Sequence, residues 1–269
     1  MSAFDHGGSP GLSVTDFSAN INPLGLHPAA LEALRRLSLQ GSSSPALVRY
    51  PETDAASFCA LAADYWGLAP ASVAAGAGAV DIIYALSDDC AARGKQALVV
   101  EPAFSEYAFS FRRRGEGVKS YALSEKNGFS LSSSDLASLS ALLDASVGLL
   151  FFASPANPSG AVASEALLTG LARLCEEKKV IFVYDACFVQ FSEPGERALR
   201  SLLSRLQDFP HLLVLNTLTK FYGMPGVRLG YALCGDGKTA ARIRALDRLH
   251  DPHRVRPDRT ILQSSCRDN

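Results

Sequence analysis

The stretch KVIFVYD (residues 179–185) decides the fold class, because it is a short, continuous run of branched and aromatic residues that ends in a carboxylate, Asp185. A run of this length and character is typical of a strand that is buried on both faces of a sheet. The same character is shared by three other runs: QALVVE (96–101), VGLLFFA (147–153) and LLVLN (212–216). The four runs predict a sheet whose strands lie inside the protein.

Helical patterns separate these predicted strands. SEALLTGLARLCEEKK (164–179) begins with a Ser–Glu pair suited to a helix start, and its leucines recur on one face. PAALEALRRL (28–37) begins with a proline and repeats apolar residues at helical spacing, whereas SLQGSSSPA (38–46) is typical of a loop. Strands that alternate with helices predict an α/β protein with a mostly parallel sheet.

Length and composition limit the classes of protein that the sequence can encode. With 269 residues, 48% hydrophobic content and a formal net charge of −1, the chain is long enough to bury a large core. The balanced charge argues against attraction to nucleic acid or to an anionic membrane. The N-terminus has no signal-peptide pattern, and no apolar run is long enough to span a bilayer. We therefore expect a soluble globular protein.

The cysteines give no indication of a metal site. The six cysteines lack the C-x-x-C spacing of zinc sites and are scattered at positions 59, 90, 175, 187, 234 and 266. They do not indicate a disulfide framework either, and this pattern fits a reducing compartment such as the cytoplasm.

Polar residues follow the predicted strands, at the ends where α/β folds place their chemistry. Asp185 closes one strand, and its burial requires a cationic or hydrogen-bonded partner. Asn157 follows another strand in the motif ASPANPSG, where the nearby prolines stiffen the backbone. Lys220 follows the last strand in NTLTKFYGMPGVRLGY (216–231). Asn157 taken alone is also consistent with an ordinary turn.

A pair of glycines precedes a further helical pattern in AAGAGAVDII (74–83). Backbone N–H groups at such a helix start, beside Gly78, can hold a phosphate, although a glycine pair alone is also typical of a simple turn. Taken in this order, the amine, the carboxylate, the amide and the anion-binding loop suit one ligand. That ligand has an aldehyde, a protonatable ring nitrogen, a flat aromatic ring and a phosphate, as pyridoxal 5′-phosphate does.

Seven motifs identify the family that the chain resembles. In chain order they are DFSANINPLG, RYPE, GAGAVD, EPAFSEY, ASPANPSG, VYDACF and TLTKFYGMPGVRLGY, and they cover about residues 5–235. With these motifs the chain resembles the fold type I pyridoxal-phosphate enzymes, in the branch that holds histidinol-phosphate aminotransferase and threonine-phosphate decarboxylase. The resemblance implies a large domain with a mostly parallel central sheet in a three-layer αβα arrangement, and pyridoxal 5′-phosphate as the cofactor.

The resemblance also implies a role for each matching residue. Lys220 is the lysine that forms the Schiff base, Asp185 pairs with the pyridine nitrogen, and Asn157 hydrogen-bonds the ring oxygen O3′. Arg228 binds the cofactor phosphate. The residues that share the phosphate with it are Thr217, Thr219, Gly78 and Ala79.

Further residues are implied to contact the ring, the neighbouring subunit or the substrate. Phe104 stacks on the cofactor ring, with Tyr107 as the second choice. Tyr50 of RYPE matches a tyrosine that reaches the phosphate of the neighbouring subunit, which implies a homodimer with shared sites. The residues implied to bind a small phosphorylated amino acid substrate are His6, Gly8, Asn22 and Asn157.

Two features favour the decarboxylase within this branch. Phe188 stands where histidinol-phosphate aminotransferases have a tyrosine that donates to O3′, and a phenyl ring cannot donate. The segment HGG (6–8) is similar to the N-terminus of threonine-phosphate decarboxylases. We therefore expect decarboxylation of L-threonine O-3-phosphate to 1-aminopropan-2-ol phosphate, a step in cobalamin biosynthesis. The alternatives are a histidinol-phosphate-type aminotransferase and a non-catalytic remnant that binds the cofactor.

The resemblance divides the chain into three parts: an N-terminal arm with the first segment of a small domain (1–45), the large cofactor-binding domain (46–244) and an atypical tail (245–269). Family members continue into a C-terminal domain that supplies an arginine for the substrate carboxylate, and we expect that domain to be missing. The tail is interpreted as an out-of-frame end, a truncated relative or a basic peptide for an acidic partner. We expect the chain to hold the cofactor but to turn over substrate poorly.

Overall fold

The computed structural model describes residues 19–39, 50 and 52–246. Within them, seven strands form one sheet in the order β1-β7-β6-β5-β4-β2-β3. The strands are β1 Val73–Gly76, β2 Gln96–Glu101, β3 Val118–Ala122, β4 Val147–Ala153, β5 Ile181–Asp185, β6 Leu212–Thr217 and β7 Gly230–Cys234. Neighbouring strands run parallel, except that β7 is antiparallel to both β1 and β6. The predicted mostly parallel sheet is confirmed.

Helices cover both faces of this sheet. They are α1 Pro28–Leu39, α2 Ala56–Trp66, α3 Ala79–Ala92, α4 Glu106–Arg112, α5 Leu136–Leu142, α6 Glu165–Lys178, α7 Glu193–Leu203 and α8 Gly237–Leu246. One buried cluster joins α2, α5, α6 and α7 to one face, where it includes Phe182 of β5. The other cluster joins α3, α4 and α8 to the opposite face, where it includes Val183. Successive strand residues point to opposite faces, so β5 sits at the middle of three layers.

The junction between α6 and β5 differs from the prediction at Lys179. The Ser164 side chain accepts a hydrogen bond from the Leu167 amide and begins α6, which ends at Lys178. Lys179 then adopts a left-handed conformation with φ 56°, and its N–H bonds to carbonyls of the last helical turn. Because Lys179 caps the helix, β5 begins at Ile181 rather than at the predicted Lys179.

Three strands of the sheet were not predicted from the sequence. β1 has the sequence VAAG, which is short and made of small residues, and β7 has the similarly short sequence GYALC. β3 is an edge strand with no fully buried residue. None of these three has the long branched or aromatic run by which the other strands were recognised. In addition, β6 extends one residue beyond its predicted end, to Thr217, which pairs with Gly230.

Helix α1 was predicted, but its apolar residues are not buried. Leu31, Leu34 and Leu37 are 39%, 38% and 40% exposed, so this face lacks a full cover among the described residues. None of the helices in the described ranges combines the length and the apolar character needed to cross a membrane.

The strand order brings the predicted site segments to one edge of the sheet. Gly230, which opens β7, pairs with Gly76 at the end of β1 and with Thr217 at the end of β6. Asp185, which ends β5, pairs with Ala153 at the end of β4. The loops that leave these strand ends therefore converge, because parallel strands present their carboxyl ends at the same edge.

Candidate active site

A cavity of ≈ 420 Å³ lies at this edge and is lined by most of the predicted site residues. The predicted residues that line it are Ala79, Phe104, Asn157, Asp185, Thr217, Thr219, Lys220 and Arg228, together with Tyr107, the second choice for ring stacking. They come from segments that are far apart in the chain, which the sheet order brings together. The volume is within the range of small-molecule sites, roughly 300–1,000 Å³.

Lys220 lies in the loop after β6, and its side chain is half-buried. Burial lowers the pKa of the Lys220 amine, the neighbouring Arg228 guanidinium lowers it further, and Cys187 and Asp185 oppose this change. The Lys220 Nζ atom lies 5.8 Å from the centre of the Phe188 ring, which also lines the cavity. A lysine in such surroundings is neutral more often than an exposed one, and a neutral amine is nucleophilic.

Asp185 lies at the floor of the cavity and is only 8% exposed. The Tyr107 hydroxyl donates to Asp185 Oδ2 at 2.5 Å, and the Cys187 amide donates to Oδ1 at 2.9 Å. The partners that the sequence required for this buried carboxylate are therefore a hydroxyl and a backbone amide, together with the Cys187 thiol, which also hydrogen-bonds Asp185. Each oxygen retains room for a further hydrogen bond, because a carboxylate oxygen accepts more than one.

Arg228 forms the end of the cavity that suits an anion, and Gly78 lies directly against its guanidinium. Gly78 precedes α3 with a φ of 89°, and a β-carbon built on it would lie 2.7 Å from Arg228 Nη2. The guanidinium thus lies against a bare backbone at the start of a helix whose first N–H groups are free of helical partners. Positive charge, open N–H groups and the helix dipole combine to favour a phosphate here.

The hydroxyl of Thr217 braces the loop that carries Lys220 and Arg228. Its Oγ1 lies 2.9 Å from Thr219 Oγ1 and 3.0 Å from the Leu229 carbonyl, and it accepts from the Thr219 amide at 3.2 Å. Thr217 is buried, whereas Thr219 is half-buried. Thr217 therefore holds the two ends of the loop together, as well as lining the cavity.

Aromatic residues form a wall of the cavity beside Asn157. Phe104 lines the cavity and meets the Tyr107 ring edge to face, with ring centres 5.7 Å apart. Tyr107 is 1% exposed and stacks on Phe151 of β4. The two aromatic residues of EPAFSEY thus make different contacts. Phe104 presents an apolar surface to the cavity, whereas the Tyr107 hydroxyl donates to Asp185.

An N-terminal segment covers one side of the cavity. Ala19, Asn20 and Ile21 line it, and the next residue, Asn22, is tied to the loop that carries Lys220. The Asn22 amide N–H donates to the Lys220 carbonyl at 3.0 Å, and its side-chain Nδ2 donates to the Phe221 carbonyl at 2.8 Å. Asn22 therefore anchors the segment, while its neighbours face the cavity.

Among the predicted residues in the described ranges, Gly78, Asn22 and Tyr50 do not themselves line this cavity, although Gly78 lies against Arg228 and Asn22 anchors the lining segment. Tyr50 is 95% exposed. His6 and Gly8 lie outside the described residues, as does the predicted tail beyond Leu246. Cys187 lines the cavity but was not predicted, because a lone cysteine after the strand-end Asp185 has no distinctive sequence signal.

The residues of the cavity fit the groups of pyridoxal phosphate. Lys220 offers an amine for the aldehyde, and Asp185 offers a buried acceptor for a protonated ring nitrogen. Arg228 and the backbone at Gly78 offer donors for the phosphate, in a space that a β-carbon at Gly78 would fill. Phe104 offers an apolar face to the ring.

Comparison with known proteins agrees with this chemistry. The model of the family "Aminotransferase class I and II" matches residues 13–265. Threonine-phosphate decarboxylase from Salmonella typhimurium is 32% identical over 229 residues, which are 85% of this chain and 58% of that protein. Histidinol-phosphate aminotransferase from Haloquadratum walsbyi is 30% identical over 220 residues, which are 82% of this chain and 54% of that protein. The chain thus spans little more than half the length of these relatives.

A solved structure shares the fold. The histidinol-phosphate aminotransferase from Clostridium acetobutylicum superimposes with a TM-score of 0.67 at 24% sequence identity, over 85% of this chain and 62% of that one. At this identity the superposition establishes the fold alone.

Proposed function

The chain belongs to the family of class I and II aminotransferases, and on this premise we propose that it decarboxylates L-threonine O-3-phosphate with pyridoxal phosphate as the cofactor. Enzymes of this family depend on pyridoxal phosphate. The proposed product is 1-aminopropan-2-ol phosphate, a precursor of the cobalamin side chain. The observation that carries the proposal is that one cavity contains Lys220, Asp185, Asn157 and Arg228.

In the proposed site, each of these residues holds a different part of the cofactor. Lys220 takes the aldehyde end, and Asp185 accepts a hydrogen bond from the protonated ring nitrogen. Arg228 and the N–H groups that follow Gly78 hold the phosphate, and Asn157 holds O3′. When bound, pyridoxal phosphate accepts the electron pair that the substrate α-carbon gains during the reaction.

The proposed reaction requires a proton as well as an electron sink. The bond between the α-carbon and the carboxylate breaks, carbon dioxide leaves, and a proton takes the vacated position on the α-carbon. Lys220 Nζ is the atom in the cavity that we assign to deliver this proton, because its lowered pKa lets the amine exchange a proton readily. Each turnover consumes one proton.

Phe188 supports decarboxylation over amino transfer. In the resemblance described above, histidinol-phosphate aminotransferases place a donating tyrosine hydroxyl at this position. Phe188 lines the cavity with its ring 5.8 Å from Lys220 Nζ and offers no hydroxyl. The threonine-phosphate decarboxylase at 32% identity also supports this choice, while histidinol-phosphate aminotransferases at 30% identity support amino transfer as the second candidate.

We also propose a homodimer in the cytoplasm. Tyr50 is 95% exposed, as expected of a side chain that reaches the phosphate of a neighbouring subunit. The five cysteines in the described ranges are all unpaired thiols, which suits a reducing compartment.

The direct test is to incubate the protein with pyridoxal phosphate and to offer two sets of substrates in separate assays. One set is threonine phosphate, and the other is histidinol phosphate with 2-oxoglutarate. We expect carbon dioxide from threonine phosphate. Lys220→Ala is the control and abolishes the release. Glutamate formation from histidinol phosphate and 2-oxoglutarate would support the aminotransferase instead. If neither carbon dioxide nor glutamate forms while the cofactor still binds, the result would support a non-catalytic remnant.

A further inference from the structure

We propose that Tyr107 is a positioning residue for Asp185, and that its hydroxyl fixes the direction in which this carboxylate faces the cofactor ring. This inference rests on the proposed cofactor site. It adds a role for a residue that the resemblance offered only as a second choice for ring stacking.

The Asp185 carboxylate is held at both of its oxygens. Tyr107 donates to Oδ2 at 2.5 Å, and the Cys187 amide donates to Oδ1 at 2.9 Å. Two strong donors on two different oxygens fix the rotation of the carboxylate plane. Without Tyr107, the Cys187 amide and the weakly donating Cys187 thiol would hold that plane less firmly. Asp185 is 8% exposed, so few water molecules can replace a missing donor.

The Tyr107 ring is itself held in one orientation. Its ring stacks on Phe151 with ring centres 4.9 Å apart and planes 5° apart, and Phe104 packs against it edge to face. The residue is 1% exposed and lies in the first turn of α4. A ring held between two others directs its hydroxyl along one line, so the hydrogen bond forms with little further loss of entropy.

The Tyr107 hydroxyl is the donor in its hydrogen bond with Asp185. Burial and the nearby Asp185 carboxylate raise the pKa of the Tyr107 hydroxyl well above its ordinary value. Tyr107 therefore donates and Asp185 accepts. A carboxylate oxygen that stays aimed at the cofactor ring nitrogen accepts a charge-assisted hydrogen bond from its N–H, and this hydrogen bond favours the protonated ring.

The experiment compares Tyr107→Phe with the wild-type protein, both loaded with pyridoxal phosphate that carries ¹⁵N in its ring. Phenylalanine keeps the stacked ring and removes only the hydroxyl. At neutral pH we expect the wild-type nitrogen to show the chemical shift of a protonated pyridine. We expect the nitrogen in the variant to shift toward the unprotonated value, because a carboxylate that can turn accepts less well from the ring N–H. We expect the cofactor to bind about tenfold more weakly, as for loss of one hydrogen bond.

Tyr84→Phe is the matched control. The Tyr84 hydroxyl donates to the carboxylate of Glu106, the residue next to Tyr107 in α4, but Tyr84 does not line the cavity. This variant also removes a hydrogen bond between a tyrosine hydroxyl and a carboxylate. That bond joins α3 to α4 and lies away from the cavity. We expect its ring-nitrogen shift and its cofactor affinity to match the wild type.

A wild-type shift and wild-type affinity in Tyr107→Phe would overturn the proposal and make Tyr107 a packing residue only. Equal changes in Tyr107→Phe and Tyr84→Phe would also overturn it, because they would indicate a movement of α4. The chemical shift and the affinity require bound cofactor but no turnover. The role of Tyr107 can therefore be tested even if the protein binds pyridoxal phosphate without decarboxylating threonine phosphate. A wild-type protein that fails to bind the cofactor would overturn both proposals.

Discussion

The guanidinium of Arg228 packs so closely against Gly78 that a β-carbon at Gly78 would lie 2.7 Å from Arg228 Nη2. The backbone at Gly78 also has a φ of 89°, in the region that residues with a side chain rarely adopt. Glycine is therefore required at position 78 for two reasons: its backbone conformation, and the space that the Arg228 side chain occupies.

This contact predicts that Gly78→Ala impairs cofactor binding beyond its cost in stability. The methyl group displaces Arg228 from the phosphate end of the cavity, so we expect the Kd for pyridoxal phosphate to rise about tenfold or more, as for loss of a charge-assisted hydrogen bond. Gly115→Ala is the control, because Gly115 has a φ of 77° but nothing lies within 4 Å of its β-carbon position. Absorbance titration measures both affinities, and equal Kd values in the two variants would contradict the prediction.

Lys220 is predicted to be the residue that links covalently to the cofactor. Its amine lies in the cavity, and burial lowers its pKa. After incubation with pyridoxal phosphate and reduction with borohydride, we expect the added mass on the peptide that contains Lys220. The exposed Lys238 serves as an internal control for non-specific labelling. Equal labelling of the two lysines, or an unmodified Lys220, would refute the assignment.

The pKa of Lys220 also predicts a pH-dependent stability in the protein without cofactor. The pKa is lowered by burial and by Arg228 from an ordinary value of 10.5, so between the two values the unfolded chain binds more protons at Lys220 than the folded chain does. The free energy of unfolding contributed by this residue therefore rises with pH across that window. We expect Lys220→Met to flatten this rise in urea denaturation, and Lys238→Met to leave it unchanged. A Lys220→Met profile parallel to that of the wild type would contradict the lowered pKa.

Asp185→Asn is predicted to separate cofactor binding from turnover. The amide is similar in size and keeps the buried packing, so we expect the Kd for pyridoxal phosphate to change by no more than about tenfold. The amide lacks the negative charge that keeps the ring nitrogen protonated, and each pKa unit lost there is about 1.4 kcal/mol. We expect carbon dioxide release to fall by about a hundredfold or more. Full release by the variant would show that the carboxylate does not support the reaction.

The strands that form the middle of the sheet could be predicted because their sequences carry the physical requirement for burial. VGLLFFA and LLVLN are apolar at nearly every position, which only a strand covered on both faces tolerates. β1 and β3 carry no such signal, because β1 consists of small residues and β3 lies at an edge where half-exposed residues are sufficient. Their place in the sheet depends on neighbours that are distant in the chain.

The sequence by itself determined which groups can act, and the tertiary structure decided how they meet. Lys220, Asp185 and Asn157 could be selected because each follows a buried run, and parallel strands bring such positions to one edge. The sequence does not show that Asp185 takes its donor from Tyr107, which is 78 residues away, or that Arg228 lies against Gly78. Contacts of this kind depend on strand order and helix packing, because residues remote in the chain become neighbours only when the whole sheet has formed.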